Sequence, residues 1–455
     1  MSGAKEVEET KANGAQPVKK DLTDNLRGDL ATVSFGTILK LALPALGVLA
    51  ASPLYLLLDT AVVGRLGAVD LAALGAATTI QSQLTTNLTF LSYGTTARAS
   101  RKFGSGDRKG AIAEGVQATW VALFVGISIS LFVWITAPWL TLWLSNDPGV
   151  AAEATIWLRV ASLGIPMILM TMAGNGWLRG IQNTRTPFYF TLMGVIPSAI
   201  SVPFLVEHMG IVGSAWSNLA GQTITSACFV GFLIYSHKGS WKPQPRVMKE
   251  QLVLGRDLIA RSLAFQIAFI SAAAVAARFG TASLAAHQVL IQLWNFLGLI
   301  LDSLAIAAQT LVGAALGTKK TSYARAVGDN VARYSGIFGI GLAVVIAAGY
   351  SLIPAIFTPV AEVQHEMHSV WLIFVMMVVL AGVVFGLDGV LLGAADAAFL
   401  RNLNIAGVVV GFLPGLALAY YLDGGLPAVW LGLGMFILIR MIGVIWRFRS
   451  MRWAK

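Results

Sequence analysis

Charge is what this 455-residue sequence lacks most: Asp, Glu, Lys and Arg make up 12% of it, against 56% hydrophobic residues and a mean hydropathy of +0.73. A soluble domain carries about 25% charged residues. So little charge cannot cover a globular surface, which excludes an ordinary soluble protein and indicates many membrane spans. Cysteine is nearly missing as well. Cys228 stands alone, which excludes an internal disulfide and any cysteine-based metal cluster. No His/Cys metal-ligand spacing occurs. No Walker A run is present, so the chain does not draw on ATP directly. GNGWLRG (174–180) is too loose for a dinucleotide site, and GSGDRKG (104–110) is a short basic turn that matches a phosphate-cradling loop only in composition. No cofactor and no enzymatic activity is expected. The net charge of +10 fits loops that face anionic lipid better than it fits nucleic acid.

What is present is a repeat at a constant offset of 213 residues. Arg65, Gly67, Leu71, Ala72 and Ala73 recur as Arg278, Gly280, Leu284, Ala285 and Ala286. Leu84, Leu91, Gly104 and Ala111 recur as Leu297, Leu304, Gly317 and Ala324, and Gly176, Leu178 and Gly180 as Gly389, Leu391 and Gly393. Two similar halves in an apolar chain suggest a transporter with its site at or within the halves.

Twelve apolar spans follow Val33, at about 35–63, 70–99, 112–143, 151–181, 186–207, 211–236, 253–278, 283–316, 322–357, 365–395, 399–421 and 426–446. Residues 1–33 mix charges of both signs without an apolar face and read as a disordered cytoplasmic tail, not a signal peptide. Basic residues fall in alternate loops, among them Arg101, Lys102, Arg108 and Lys109, then Arg179 and Arg185, then Lys319 and Lys320. By the positive-inside rule both termini are cytoplasmic, in the plasma membrane. The expected domains are a lobe over 34–236, a cytoplasmic linker over 237–252, a lobe over 253–446 and a basic C-terminus over 447–455.

Several segments carry a family resemblance: LDTAVVGRLG (58–67), RKFGSGDRKG (101–110), GNGWLRGIQNTRTP (174–187), GIVGSAWSNLAGQ (210–222), LDSLAIAAQTLVGAALG (301–317) and LDGVLLGAADAAFLRN (387–402). In this order and spacing the chain resembles the multidrug and toxic compound extrusion (MATE) family, and its second half the DinF-type branch. The resemblance implies an all-α membrane protein of twelve helices in two pseudo-symmetric six-helix lobes forming a V. It further implies export of cationic or amphipathic organic compounds in exchange for H⁺ or Na⁺, by alternating access, from a monomer embedded in the bilayer.

An ionisable group inside a membrane is costly and few persist without a role. Asp59, Asp302 and Asp388 lie deep in their spans, with no Lys or Arg expected well inside those same spans. A carboxylate without a counter-charge in apolar surroundings takes up a proton more readily than one in water, and oxygen ligands around it could instead hold Na⁺. Asp59 lies six residues before Arg65, about 9 Å below the outer end at 1.5 Å per residue. By the resemblance it matches the family's acidic residue of the first helix and would bind the coupling ion, and Asn175 would offer a carbonyl ligand. Gln83, Asn87 and Thr171 are further polar candidates around it. Many family members carry an Asn and, four residues on, an Asp in the fifth helix. Here those positions hold Ser198 and Val202, which favours H⁺ over Na⁺. No metal site is expected otherwise.

Asp302 and Asp388 form a possible second site, and Asp388 is the repeat counterpart of Asn175. Facing one another, they would share a proton. Gln266, Gln292 and Asn295 are candidates for lining a cavity in that lobe. His287 reads as interfacial, as does Trp430. The alternative function is a flippase for an amphipathic or lipid-linked substrate, which should carry several cationic residues in its cavity. Only Arg261 and Arg333, both near span ends, are evident for that. A non-transporting receptor or scaffold would not retain unpartnered deep carboxylates.

Overall fold

The computed structural model describes residues 33–454, and the tail predicted over 1–33 lies outside the described residues but for Val33. The described chain is helical, without a strand. In order the helices are α1 (Phe35–Val63), α2 (Ala68–Leu88), α3 (Phe90–Gly104), α4 (Arg108–Ser145), α5 (Pro148–Ser162), α6 (Ile165–Gly180), α7 (Arg185–Met209), α8 (Ile211–Ser236), α9 (Pro245–Ala276), α10 (Thr281–Gly317), α11 (Thr321–Ala348), α12 (Leu352–Phe357), α13 (Ala361–Gly393), α14 (Ala397–Ala406), α15 (Leu413–Tyr421) and α16 (Gly425–Arg449).

Among the described residues ten single spans are long and apolar enough to cross a membrane, and α5 with α6 makes an eleventh, bent by 45°. The remaining predicted span, 70–99, is α2 and α3, which meet at Thr89 with helical φ and ψ of −58° and −17°. It fails a simple hydropathy test because Thr78, Thr79, Gln81, Gln83, Thr85, Thr86 and Asn87 crowd one stretch. A span so rich in hydroxyl and amide groups belongs where it meets water or protein rather than lipid. The predicted span 322–357 is α11 and the short α12, because the helix closes at Gly349. A π-helical segment, Gly407–Phe412, joins α14 to α15 within one span.

The repeat is visible in the backbone. Four pairs of residues with positive φ stand 213 apart: Gly67 and Gly280, Gly106 and Lys319, Gln182 and Ala395, Gly210 and Asp423. Gly67 and Gly280 (φ 154° and 114°) open α2 and α10. The halves also meet through repeat-related atoms. A Cβ on Gly104 would strike the Ala314 carbonyl, and one on Gly317 would strike the Arg101 carbonyl. Arg101 and Ala314 are themselves 213 apart, as are Ser100 and Gly313, which touch each other. The pseudo-two-fold axis therefore passes between Ser100 and Gly313, where only small residues let the backbones approach.

One stripe of α10 shows the shape. Gln288, Gln292, Asn295, Asp302, Gln309 and Gly313 recur at spacings that place them on one helix face. At Asp302, Gln309 and Gly313 that face meets the other lobe, whereas Gln288, Gln292 and Asn295 are exposed. The repeat-related Gly75, Thr79 and Ser82 of α2 are exposed too, and Thr96 and Ser100 of α3 are buried. The lobes are thus joined at the end bearing Arg108, Lys109, Lys319 and Lys320, here the basic end, and splay apart toward the other.

Candidate functional site

Asp59 lies one turn before the far end of α1 and is 1% exposed. Ser214 Oγ, at the start of α8, donates to Asp59 Oδ2 at 2.7 Å, and Trp157 Nε1 of α5 donates to Ser214 Oγ at 3.1 Å. Asp59 Oδ1 is buried without a partner. One turn back, Tyr55 OH reaches Ser217 Oγ at 3.5 Å. Ser217 Oγ lies 2.8 Å from Ser201 Oγ and 3.1 Å from Ser198 Oγ. Four helices thus bring hydroxyls and an indole to this end of α1, and of these groups Ser214 alone bonds the carboxylate. Asp59 enters none of the ion pairs found among the described residues. Such a group is uncompensated while ionised and satisfied more cheaply when a cation joins it.

Asn175 is buried but not beside Asp59. The first turns of α1, at Thr37 and Lys40, line one pocket with Gln182 and Arg185 just past the end of α6. Counting from that shared level at 1.5 Å per residue, Asn175 and Asp59 lie on the order of 20 Å apart along the membrane normal. The expectation of a shared ion site fails because α1 and α6 run in opposite directions. Asn175 instead sits under the close approach of Gly176 to Ser92 and Thr95, with its Oδ1 unpartnered. Gln83 is exposed, while Asn87 donates to the Gln83 carbonyl at 2.8 Å. Thr171 Oγ1 is buried without a partner. None of these bonds to Asp59.

The second lobe corrects the expectation of isolated carboxylates. Asp388 Oδ2 accepts from Arg261 Nη2 at 2.6 Å and also from Arg440 Nη2. Arg440 is 1% exposed, in the middle of α16, and its guanidinium lies 4.6 Å from the centre of the Phe265 ring. Asp388 and Asp302 share no hydrogen bond. Asp302 Oδ2 accepts instead from Tyr93 OH of α3 at 2.7 Å, and Gln309 Nε2 donates to the Tyr93 carbonyl at 2.7 Å. Arg179, counted above with a basic loop, is buried at the end of α6 and donates to Ser92 Oγ at 3.3 Å. Asp302 and Asp388 take their hydrogen bonds from separate donors, and Asp388 Oδ1 is buried without a partner. Gln266 is half-buried, and Gln292 and Asn295 stand exposed on the splayed stripe of α10.

Two further readings change. His287 is 1% exposed and packs edge-on against Trp430, itself fully buried, so neither is interfacial. Glu114, buried in α4, binds Arg98 at 2.7 Å and Lys102 at 3.2 Å. Ser214, Trp157 and the serine cluster escaped sequence reasoning because nothing in their spacing links them to residue 59. Arg440 left a clear signal, a single charge inside the apolar run FILIRMIGV (436–444).

Known proteins resemble this chain over nearly its full described length. The MatE family model matches residues 44–205 and 258–416. Protein DETOXIFICATION 44, chloroplastic, of Arabidopsis thaliana is 28% identical over 434 residues, covering 90% of this chain and 81% of that protein. DNA damage-inducible protein F of Escherichia coli (strain K12) is 29% identical over 428 residues, covering 90% and 91%. A crystal structure of MATE in the bent conformation superposes with a TM-score of 0.85 at 20% identity, covering 94% of this chain and 97% of that one. The described helices, their repeat and these similarities agree: the chain belongs to the MatE family, as a DinF-like membrane transporter and not an enzyme.

Proposed function

We propose that the protein is a secondary active antiporter that exports cationic or amphipathic organic compounds in exchange for H⁺, with Asp59 as the coupling residue. The observation that carries this reading is the buried Asp59 carboxylate, held by Ser214 alone and leaving Oδ1 free. Asp59 lies one turn from the far end of its helix, so an outside proton has a short distance to travel to it. Protonation removes the buried charge and weakens the hold on Ser214, since a charge-assisted hydrogen bond becomes an ordinary one. Pro44 and Pro53 deprive α1 of two backbone donors on the basic side of Asp59, so α1 can bend as that hold changes. Exchange follows if substrate and proton exclude one another in the first lobe.

H⁺ is favoured over Na⁺ because hydroxyls supply the nearby oxygens and no second carboxylate joins them. Among the described residues no group of three His, Cys, Asp or Glu converges as a metal site. The basic end faces the cytoplasm of the cell, by the positive-inside rule, and both described termini lie on that side. The protein works as a monomer, each copy having its own pair of lobes and its own cleft. The polar exposed stripe of Gln288, Gln292 and Asn295 gives a substrate hydrogen-bond partners across from Thr79 and Ser82.

The test is efflux of a fluorescent organic cation from proteoliposomes, with a pH gradient or a Na⁺ gradient imposed separately. Transport driven by the pH gradient and abolished in Asp59→Asn is expected. Transport driven only by Na⁺, or indifferent to Asp59→Asn, overturns the assignment.

A further inference from the structure

A cavity of about 470 Å³ opens between the lobes, away from Asp59 and from the seam at Ser100. Leu88 and Phe90 form its floor, Val125 and Ile129 of α4 one wall, and a stripe of α9 the other. That stripe is Leu252, Arg256, Ile259, Ala260 and Leu263, spaced so that all five share one helix face. Leu252 and Leu263 are 44% and 45% exposed, while Leu88 and Phe90 are buried, so the groove is concave and open outward. Phe90 is seated on the bare backbone of Gly255, which brings the floor close to α9.

The groove is apolar except for Arg256, which stands at the rim between Leu252 and Ile259 with its side chain 69% exposed. Arg256 and Arg401 both bind the single oxygen Asp257 Oδ1, at 3.1 and 2.6 Å. Two guanidiniums on one carboxylate leave an excess positive charge there. Glu250, earlier on α9, is already engaged by Arg98 at 2.7 Å and Arg246 at 3.5 Å. From Arg256 the groove runs about 10 Å along α9 to Leu263, toward the membrane midplane.

We infer that this groove is a binding site for an anionic phospholipid, with an acyl chain against Leu88, Ile129 and Leu263 and the phosphate at Arg256. An aliphatic slot with a surplus guanidinium at the level of the headgroups is complementary to such a lipid, and basic pockets between membrane helices bind anionic headgroups. A zwitterionic lipid fills the slot equally well but brings its own cation to the rim. The walls come from both lobes, so the lipid touches each and must be released or re-seated when they rock.

The test is native mass spectrometry of the full-length protein ejected from nanodiscs made of phosphatidylglycerol and phosphatidylcholine in equal parts. The wild type should retain phosphatidylglycerol preferentially. Arg256→Gln, at an exposed position that leaves Asp257 paired with Arg401, should reduce that preference about fivefold, the scale of one basic residue at an anionic surface. Ala260→Phe should fill the slot and lower the number of lipids retained. A wild-type ratio near one overturns the proposal, as does a preference that survives Arg256→Gln. A preference lost in Arg256→Gln while Ala260→Phe retains as many lipids as the wild type puts the lipid outside the groove and overturns it too.

Discussion

Tyr93 and Asp302 tie the two lobes together from opposite sides of the seam: the phenol donates to the carboxylate at 2.7 Å, and the Tyr93 carbonyl accepts at 2.7 Å from Gln309, two turns further along the same face of α10. Arg179 and Arg261 lie within electrostatic reach of the same carboxylate. The bond joins α3 of one lobe to α10 of the other, so separation of the two helices breaks it and it stabilises the closed basic end.

Tyr93→Phe keeps the ring and removes the donor. A hydrogen bond to a charged group is worth about 1.5–3 kcal/mol, and its loss falls wholly on the closed arrangement. Spin labels placed on the basic ends of α3 and α10 should show the open-ended population rising about tenfold or more. An unchanged distance distribution would mean the bond is incidental.

Gly104→Ala and Gly317→Ala should act alike, because each puts a methyl against a backbone carbonyl of the opposite lobe. Both should disfavour closure of the basic end, by the same label distances. Gly341→Ala is the control, since nothing lies within 4 Å of its would-be Cβ. Effects of different sign in the two seam variants would contradict the pseudo-two-fold contact.

Arg440→Met leaves Asp388 with Arg261 alone in a buried site. Asp388 loses one of its two cationic donors and keeps Arg261, so the cost is that of a hydrogen bond to a charged group, about 1.5–3 kcal/mol. The variant should unfold at a clearly lower temperature in detergent. Asp388→Asn should cost less in the Arg440→Met chain than in the wild type, because part of the interaction it removes is already gone. Additive losses in the double variant would show that the two residues do not act as a pair.

These residues also show where sequence reading succeeds and where it stops. The 213-residue offset was legible because it needs no gap, and it carries through to paired positive-φ residues and to Gly104 and Gly317 at the seam. Asp59 was legible as a lone acid near the outer end of an apolar run. Its setting was not, because Ser214, Trp157 and Ser217 come from other helices. Only the family resemblance puts Asn175 beside Asp59, and helix direction separates them. Arg179 adjoins basic residues in sequence, as a loop charge does, yet α3 packs over the end of α6 and buries it. Arg440 stood out in its span, but the acid it compensates lies 52 residues away in sequence.

The most direct measurement of the central claim is proton release from detergent-solubilised protein in weakly buffered solution near neutral pH, on adding a fluorescent organic cation. If Asp59 exchanges a proton for substrate, the wild type releases about one proton per bound cation and Asp59→Asn binds the cation with no release. Equal release from both proteins, or binding by the wild type without release, would contradict coupling through Asp59.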